Sequence, residues 1–118
     1  MRNFRKLEIW KNGIGIVKQV YLLSQSFPPE EKFGLRSQIT RASVSIPSNI
    51  AEGCSRNSDI EFKRFLEIAM GSLFEIETQL IISQELDFIS ENELKYIFEL
   101  LDKEAKMINS LINTIKNS

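Results

Sequence analysis

Apolar residues recur every three or four positions along four long stretches of this chain, and almost nothing interrupts them. That spacing follows the turn of an α-helix, not the two-residue repeat of a strand, so it confines the chain to helix packing. Only five glycines and three prolines punctuate the 118 residues. Turn formers gather at Ser26-Phe27-Pro28-Pro29, Asn57-Ser58-Asp59 and Asp87-Phe88-Ile89-Ser90. The pattern predicts helices over 4–25, 29–56, 59–86 and 90–116. Pro28 and Pro29 suit the opening of the second helix. Ser58 or Asp59 caps the third, and Ser90 with Glu93 resembles a capping box for the fourth. Long helices on short connections pack against their chain neighbours. The expected fold is all-α, an up-down-up-down antiparallel four-helix bundle forming one domain over 1–118.

On the first helix, Leu7, Trp10, Ile14, Val17 and Tyr21 form one apolar line. Ile9, Gly13, Ile16, Val20 and Leu23 form a second, roughly 120° around the axis. The fourth helix offers Leu94, Ile97, Leu101, Ala105, Ile108, Ile112 and Ile115 beside Tyr96, Leu100, Met107 and Leu111. Either the paired lines merge into one wide core face, or the second line packs against another subunit. Gly13, Gly15 and Gly71 let backbones approach closely despite their cost to a helix. Self-association is expected.

The second helix carries an apolar seam, Leu35, Ile39, Ala42, Ile46 and Ile50. Beside it run Gln38, Arg41, Ser45, Asn49 and Glu52 at the same spacing. A solvated face would hold lysine and glutamate, whereas short hydrogen-bonding groups suit a tight, partly buried contact. Glu67, Ser72, Glu75 and Thr78 of the third helix are the candidate partners. Arg41 is expected to pair with one of these carboxylates, or with Glu52 of a neighbouring chain, as a device for specificity. Pro47 removes the N–H that would bond Ser43, so a kink is expected there, softened by hydroxyl bonds from Ser45 and Ser48. A structural kink and a ligand site at the kink both fit this pattern.

The stretch "FPPEEKFGLRSQITRASVSIPSNIAEGCSR", followed by "FKRFLEIAMGSLFEIETQL", resembles the bacterial intervening-sequence proteins, encoded within inserts in large-subunit ribosomal RNA genes and at other loci. Trp10, Phe27, Pro28, Gly34, Gln38, Arg41, Ser45, the block Asn49 to Gly53, and Ala69, Gly71, Ser72, Glu75 and Glu77 carry the likeness. The resemblance implies an up-down four-helix bundle and a ring-like homopentamer. One relative, the accessory variability protein of diversity-generating retroelements, partners a reverse transcriptase and binds nucleic acid. The family supplies no catalytic residues.

The chain departs from a strongly basic binder, with 15 Lys and Arg against 16 Asp and Glu. The charges are unevenly placed, however. Residues 1–64 hold eleven basic and six acidic groups, a net of +5, and residues 65–118 hold four and ten, a net of −6. An up-down bundle gathers Arg2, Arg5, Lys6, Arg56, Lys63, Arg64 and Lys116 at one end, with Glu8, Asp59 and Glu61, a net of +4. The other end collects Lys32 and Lys95 against Glu30, Glu31, Glu85, Asp87, Glu91 and Glu93, a net of −4. A cyclic oligomer repeats the basic end as a ring able to attract RNA or DNA phosphates, with little base readout. Arg2, Arg5, Lys6, Arg56, Lys63 and Arg64 are the candidate contacts.

Chemistry is restricted in turn. Histidine is absent, which removes His-based acid–base catalysis and the usual zinc sites. No glycine-rich phosphate loop and no serine with a suitable base stands out. No enzyme activity, cofactor or metal is expected. Cys54 is the single cysteine, expected to be an ordinary thiol in a reducing cytoplasm. Neither a membrane span nor a secretion signal is expected. An oligomeric adaptor for nucleic acid or a nucleic-acid enzyme, and a protein–protein scaffold without nucleic acid, are the two functional expectations.

Overall fold

The structure, a computed structural model, describes residues 2–118. Among them are four α-helices and no strand: α1 Glu8–Ser24, α2 Leu35–Cys54, α3 Asp59–Glu85 and α4 Glu91–Lys116. Single 3-10 turns at Phe4–Lys6 and Pro29–Glu31 precede α1 and α2. The bundle measures 45 × 24 × 20 Å, close to the length of the 27-residue α3 at 1.5 Å per residue.

The helices pack in a closed circuit. α1 and α3 each touch both α2 and α4, while the diagonal pairs do not approach. On the α2–α3 seam, Gln38 faces Gln79, Ser45 faces Ser72, and Gly53 abuts Phe62. Numbers rising on α2 therefore meet numbers falling on α3. The α1–α4 seam behaves likewise, with Asn12 bonded to Glu104 and Ser26 to Phe88.

Two of the expected helices are shorter than their periodicity. The stretch from 29 is divided, because Gly34 adopts φ −106° and ψ −118° and α2 begins only at Leu35. The Glu31 carboxylate accepts the Leu35 N–H at 2.9 Å, placing a negative charge where the helix dipole favours one. Residues 4–6 form a separate turn, capped by Asn3, and extended Leu7 divides it from α1. The other caps follow the sequence. Ser58 accepts from the Glu61 N–H at 3.2 Å, and Ser90 and Glu93 form the capping box. Ser58→Ala should lower unfolding free energy by ~1 kcal/mol, measured by urea denaturation at fixed protomer concentration.

Ile16, Ile46, Leu66, Ile76, Ile97 and Ile108 are completely or almost completely buried at the centre. On α1 the core line is Ile9, Gly13, Ile16 and Val20, whereas Ile14 and Tyr21 of the other line are 44% and 48% exposed. The choice turns on Gly13, where a Cβ would stand 3.4 Å from Ile46 and 3.5 Å from Pro47. On α4, Leu94, Ile97, Leu101 and Ile108 are buried. Ala105 is only half-buried, and Glu104 occupies the core position instead. Pro47 is buried within a continuous α2. Ser45 does not return its hydroxyl to the helix carbonyls freed by Pro47 but shares a 2.9 Å hydrogen bond with Ser72 across the seam. Among the described residues, no helix is long and apolar enough to cross a membrane.

Candidate functional site

The basic end is assembled by the first residues lying against the α2–α3 turn. The Arg2 N–H donates to the Cys54 carbonyl at 3.3 Å. Its guanidinium pairs with Asp59 at the start of α3 and stacks over Phe62, 4.1 Å from the ring centre. Arg56 pairs with Glu52 at 3.5 Å and lies over Phe65 at 5.0 Å. Aromatic rings thus hold both cations in place while carboxylates neutralise them. Arg5 lies over Phe4 at 4.6 Å.

Among the described residues, Arg5, Lys6, Lys63 and Arg64 have no carboxylate within ion-pair distance. Of the six candidate contacts, these four keep an unneutralised charge. Glu52 belongs to this end through Arg56, so the net charge read there as +4 falls to +3. An open hollow of about 390 Å³ lies between the N-terminal turn and the end of α2, with Arg2, Arg5 and Ser55 on its wall. Cys54 forms part of its floor but is 1% exposed. Burial pushes its thiol up, outweighing the opposite pull of Arg2, which disfavours the reactive thiolate.

The polar seam comes together only in part. Ser45, Asn49 and Ser72 form one cluster, the Asn49 amide donating to the Ser45 carbonyl at 2.7 Å and to its hydroxyl at 2.8 Å. Gln38 accepts a long 3.5 Å bond from Gln79. The expected pairing of Arg41 within the chain is absent: no carboxylate of α3 stands within ion-pair distance among the described residues. Arg41 instead lines a surface groove with Gln38, Ser45, Ser72 and Glu75. Glu52 is turned away toward Arg56 in the turn that follows α2.

Of the buried polar residues that sequence spacing missed, two keep an unpartnered atom, Glu104 and Gln79. Glu104 is fully buried between α4 and α1. Asn12 donates to its Oε1 at 3.0 Å and to the Leu100 carbonyl at 3.1 Å, while Oε2 has no hydrogen-bond partner among the described residues. Burial pushes this carboxyl up to about 7, against the smaller opposing effects of the Asn12 hydrogen bond and Lys103. Gln79 is 6% exposed, and its Oε1 also lacks a partner. Glu104 lies at helical spacing between Leu101 and Ile108, so the signal was a polar residue on the core line.

Comparison with known proteins agrees with this fold. The sequence profile described as 23S rRNA-intervening sequence protein matches residues 5–110. The chain is similar in structure to a protein of unknown function from the S23 ribosomal protein family of Bacteroides thetaiotaomicron. The TM-score is 0.81 at 22% identity, over 88% of this chain and 97% of that one. No curated protein matches the chain.

Proposed function

The chain belongs to the 23S rRNA-intervening sequence protein family, and from that premise we propose that it is a non-enzymatic, homo-oligomeric adaptor. It binds nucleic acid through its basic end and holds it for a nucleic-acid-processing protein partner. The assembly is a closed ring of cytoplasmic subunits, five in number by the family resemblance.

One observation carries the reading. Among the described residues, Arg5, Lys6, Lys63 and Arg64 pair with no carboxylate at the end where Arg2 ties the N-terminal turn to α2 and α3. Repeated around a ring, four cations per subunit act on phosphates together, although the chain is nearly neutral. The family's description makes structured RNA the first ligand to try.

The test is a fluorescence titration of structured RNA and duplex DNA at low and near-physiological salt, with oligomer mass measured on the same sample. Binding should weaken steeply with salt. Reversing Arg5, Lys6, Lys63 and Arg64 to glutamate should weaken it at least tenfold, whereas reversing the already paired Arg56 alone should do less. Unchanged affinity in the fourfold variant would remove this site. The scaffold reading draws on the exposed apolar surface of α3, including Ile68 and Phe74, and takes over if an intact oligomer binds neither nucleic acid.

A further inference from the structure

We infer that the hollow between the N-terminal turn and the end of α2 takes one unpaired nucleotide of an RNA, so that the basic end selects loops and bulges over continuous duplex. This assignment rests on the nucleic-acid reading above and names the kind of nucleic acid that end prefers.

Two segments build the hollow. Arg2, Asn3, Phe4 and Arg5 form one wall, and Ala51, Cys54 and Ser55, from the last turn of α2 and the residue after it, form the other. Its volume of about 390 Å³ exceeds the ~300 Å³ at which small-molecule sites begin. Phe4, Ala51 and Cys54 give it an apolar lining, suited to the faces of a nucleobase. Ala51 matters through what it lacks, since a larger side chain at this half-buried position would take up the space.

Two cations and no carboxylate stand among the lining residues, and the cations are not equivalent. Arg2 is neutralised by Asp59 and held over Phe62, which makes it wall. Arg5 is exposed, pairs with no carboxylate among the described residues, and lies over the Phe4 ring at 4.6 Å. A guanidinium held in this way serves twice, stacking a base and meeting the phosphate that the base carries.

The walls are set before any ligand arrives. The Arg2 N–H donates to the Cys54 carbonyl, Asn3 accepts the Arg5 N–H at 3.2 Å, and Phe4 packs edge-on against Trp10, 5.2 Å between ring centres. Binding therefore orders little of the protein, a cost that otherwise erodes affinity. A paired base is stacked inside its duplex and offers no free face, so only an unpaired one can enter. The Asn3 side-chain oxygen and the Ser55 hydroxyl are already engaged within the chain. Stacking, not base identity, is what the hollow reads.

The test compares two RNAs of equal phosphate number, a hairpin with an unpaired loop and a blunt duplex, by fluorescence titration with the whole protein. A fluorescent purine analogue in the loop reports stacking. The hairpin should bind about tenfold tighter, and the analogue's emission should change on binding. Ala51→Phe, and the smaller filling Ala51→Leu, should abolish the preference and the emission change while duplex affinity holds, with circular dichroism and oligomer mass unchanged. AMP at the RNA's own concentration should not displace the hairpin. Equal affinities for the two RNAs, or a preference untouched by both fillings, would overturn the hollow as the nucleotide site and leave phosphate binding at the basic end standing. Displacement by AMP would overturn the RNA assignment in favour of a free mononucleotide. Binding of neither RNA would instead remove the nucleic-acid reading on which this one rests.

Discussion

Replacing Glu104 by glutamine should stabilise the protein by about 2 kcal/mol at pH 8 and change its stability little at pH 5. The folded carboxyl keeps its proton up to about 7, whereas the ordinary value is 4.5. Between those values the folded state binds more protons than the unfolded state. Stability is therefore fully present below 4.5 and is lost as pH rises through 7, by about 3 kcal/mol in all at 1.36 kcal/mol per unit. Glutamine keeps the shape and an oxygen for Asn12 but carries no charge. Its amide brings a donor that also needs a partner, which is why the gain falls short of the whole difference. Urea unfolding between pH 5 and 8, at one protomer concentration, should show a falling wild-type line and a flatter variant line. Parallel lines would remove Glu104 as the source of the slope.

Gly53→Ala should destabilise by about 2 kcal/mol, although alanine is the better helix former by ~1 kcal/mol. A Cβ at Gly53 would stand 2.8 Å from the Cβ of Phe65 and 3.0 Å from Cδ1 of Phe62. The first of these atoms is fixed to the α3 backbone, so no rotamer change moves it aside. The two helices must separate instead, where Phe62 is 1% exposed and tightly packed. Thermal melting read by circular dichroism should show a drop of several degrees. A rise would mean that the end of α2 is loose enough to absorb a methyl group.

Four helices were legible in the chain because turn formers separate them and Ser58 and Ser90 cap two of them as their spacing required. The break before α2 was not, since Glu30, Glu31 and Lys32 are good helix formers and the stop depends on the conformation of Gly34 and on a carboxylate reaching Leu35. The two apolar lines of α1 are equally hydrophobic, so sequence could not say which faces inward. The approach of Ile46 and Pro47 to Gly13 decides it. Glu104 escaped notice because Ala105, four residues after Leu101, continued the apolar line. At the basic end the sequence identified the cations but not which were already neutralised. Arg2 and Asp59 lie 57 positions apart and meet only through the fold. The sharing of Arg56 with Glu52, by contrast, is an i,i+4 pair that spacing alone could have flagged.

The seam between α2 and α3 also bears on the order in which the chain folds. These helices are joined by the four residues 55–58, and Gly53 meets Phe62 and Phe65 immediately beyond that turn. Closing so short a loop costs little entropy, and each successive contact up the seam, Ser45 with Ser72 and then Gln38 with Gln79, enlarges it only gradually. The α1–α4 seam must instead close over most of the chain, from Asn12 to Glu104. A helical hairpin of α2 and α3 is thus the nucleus this topology favours. The outer pair assembles on it afterwards, and the buried carboxyl is among the last groups to leave water.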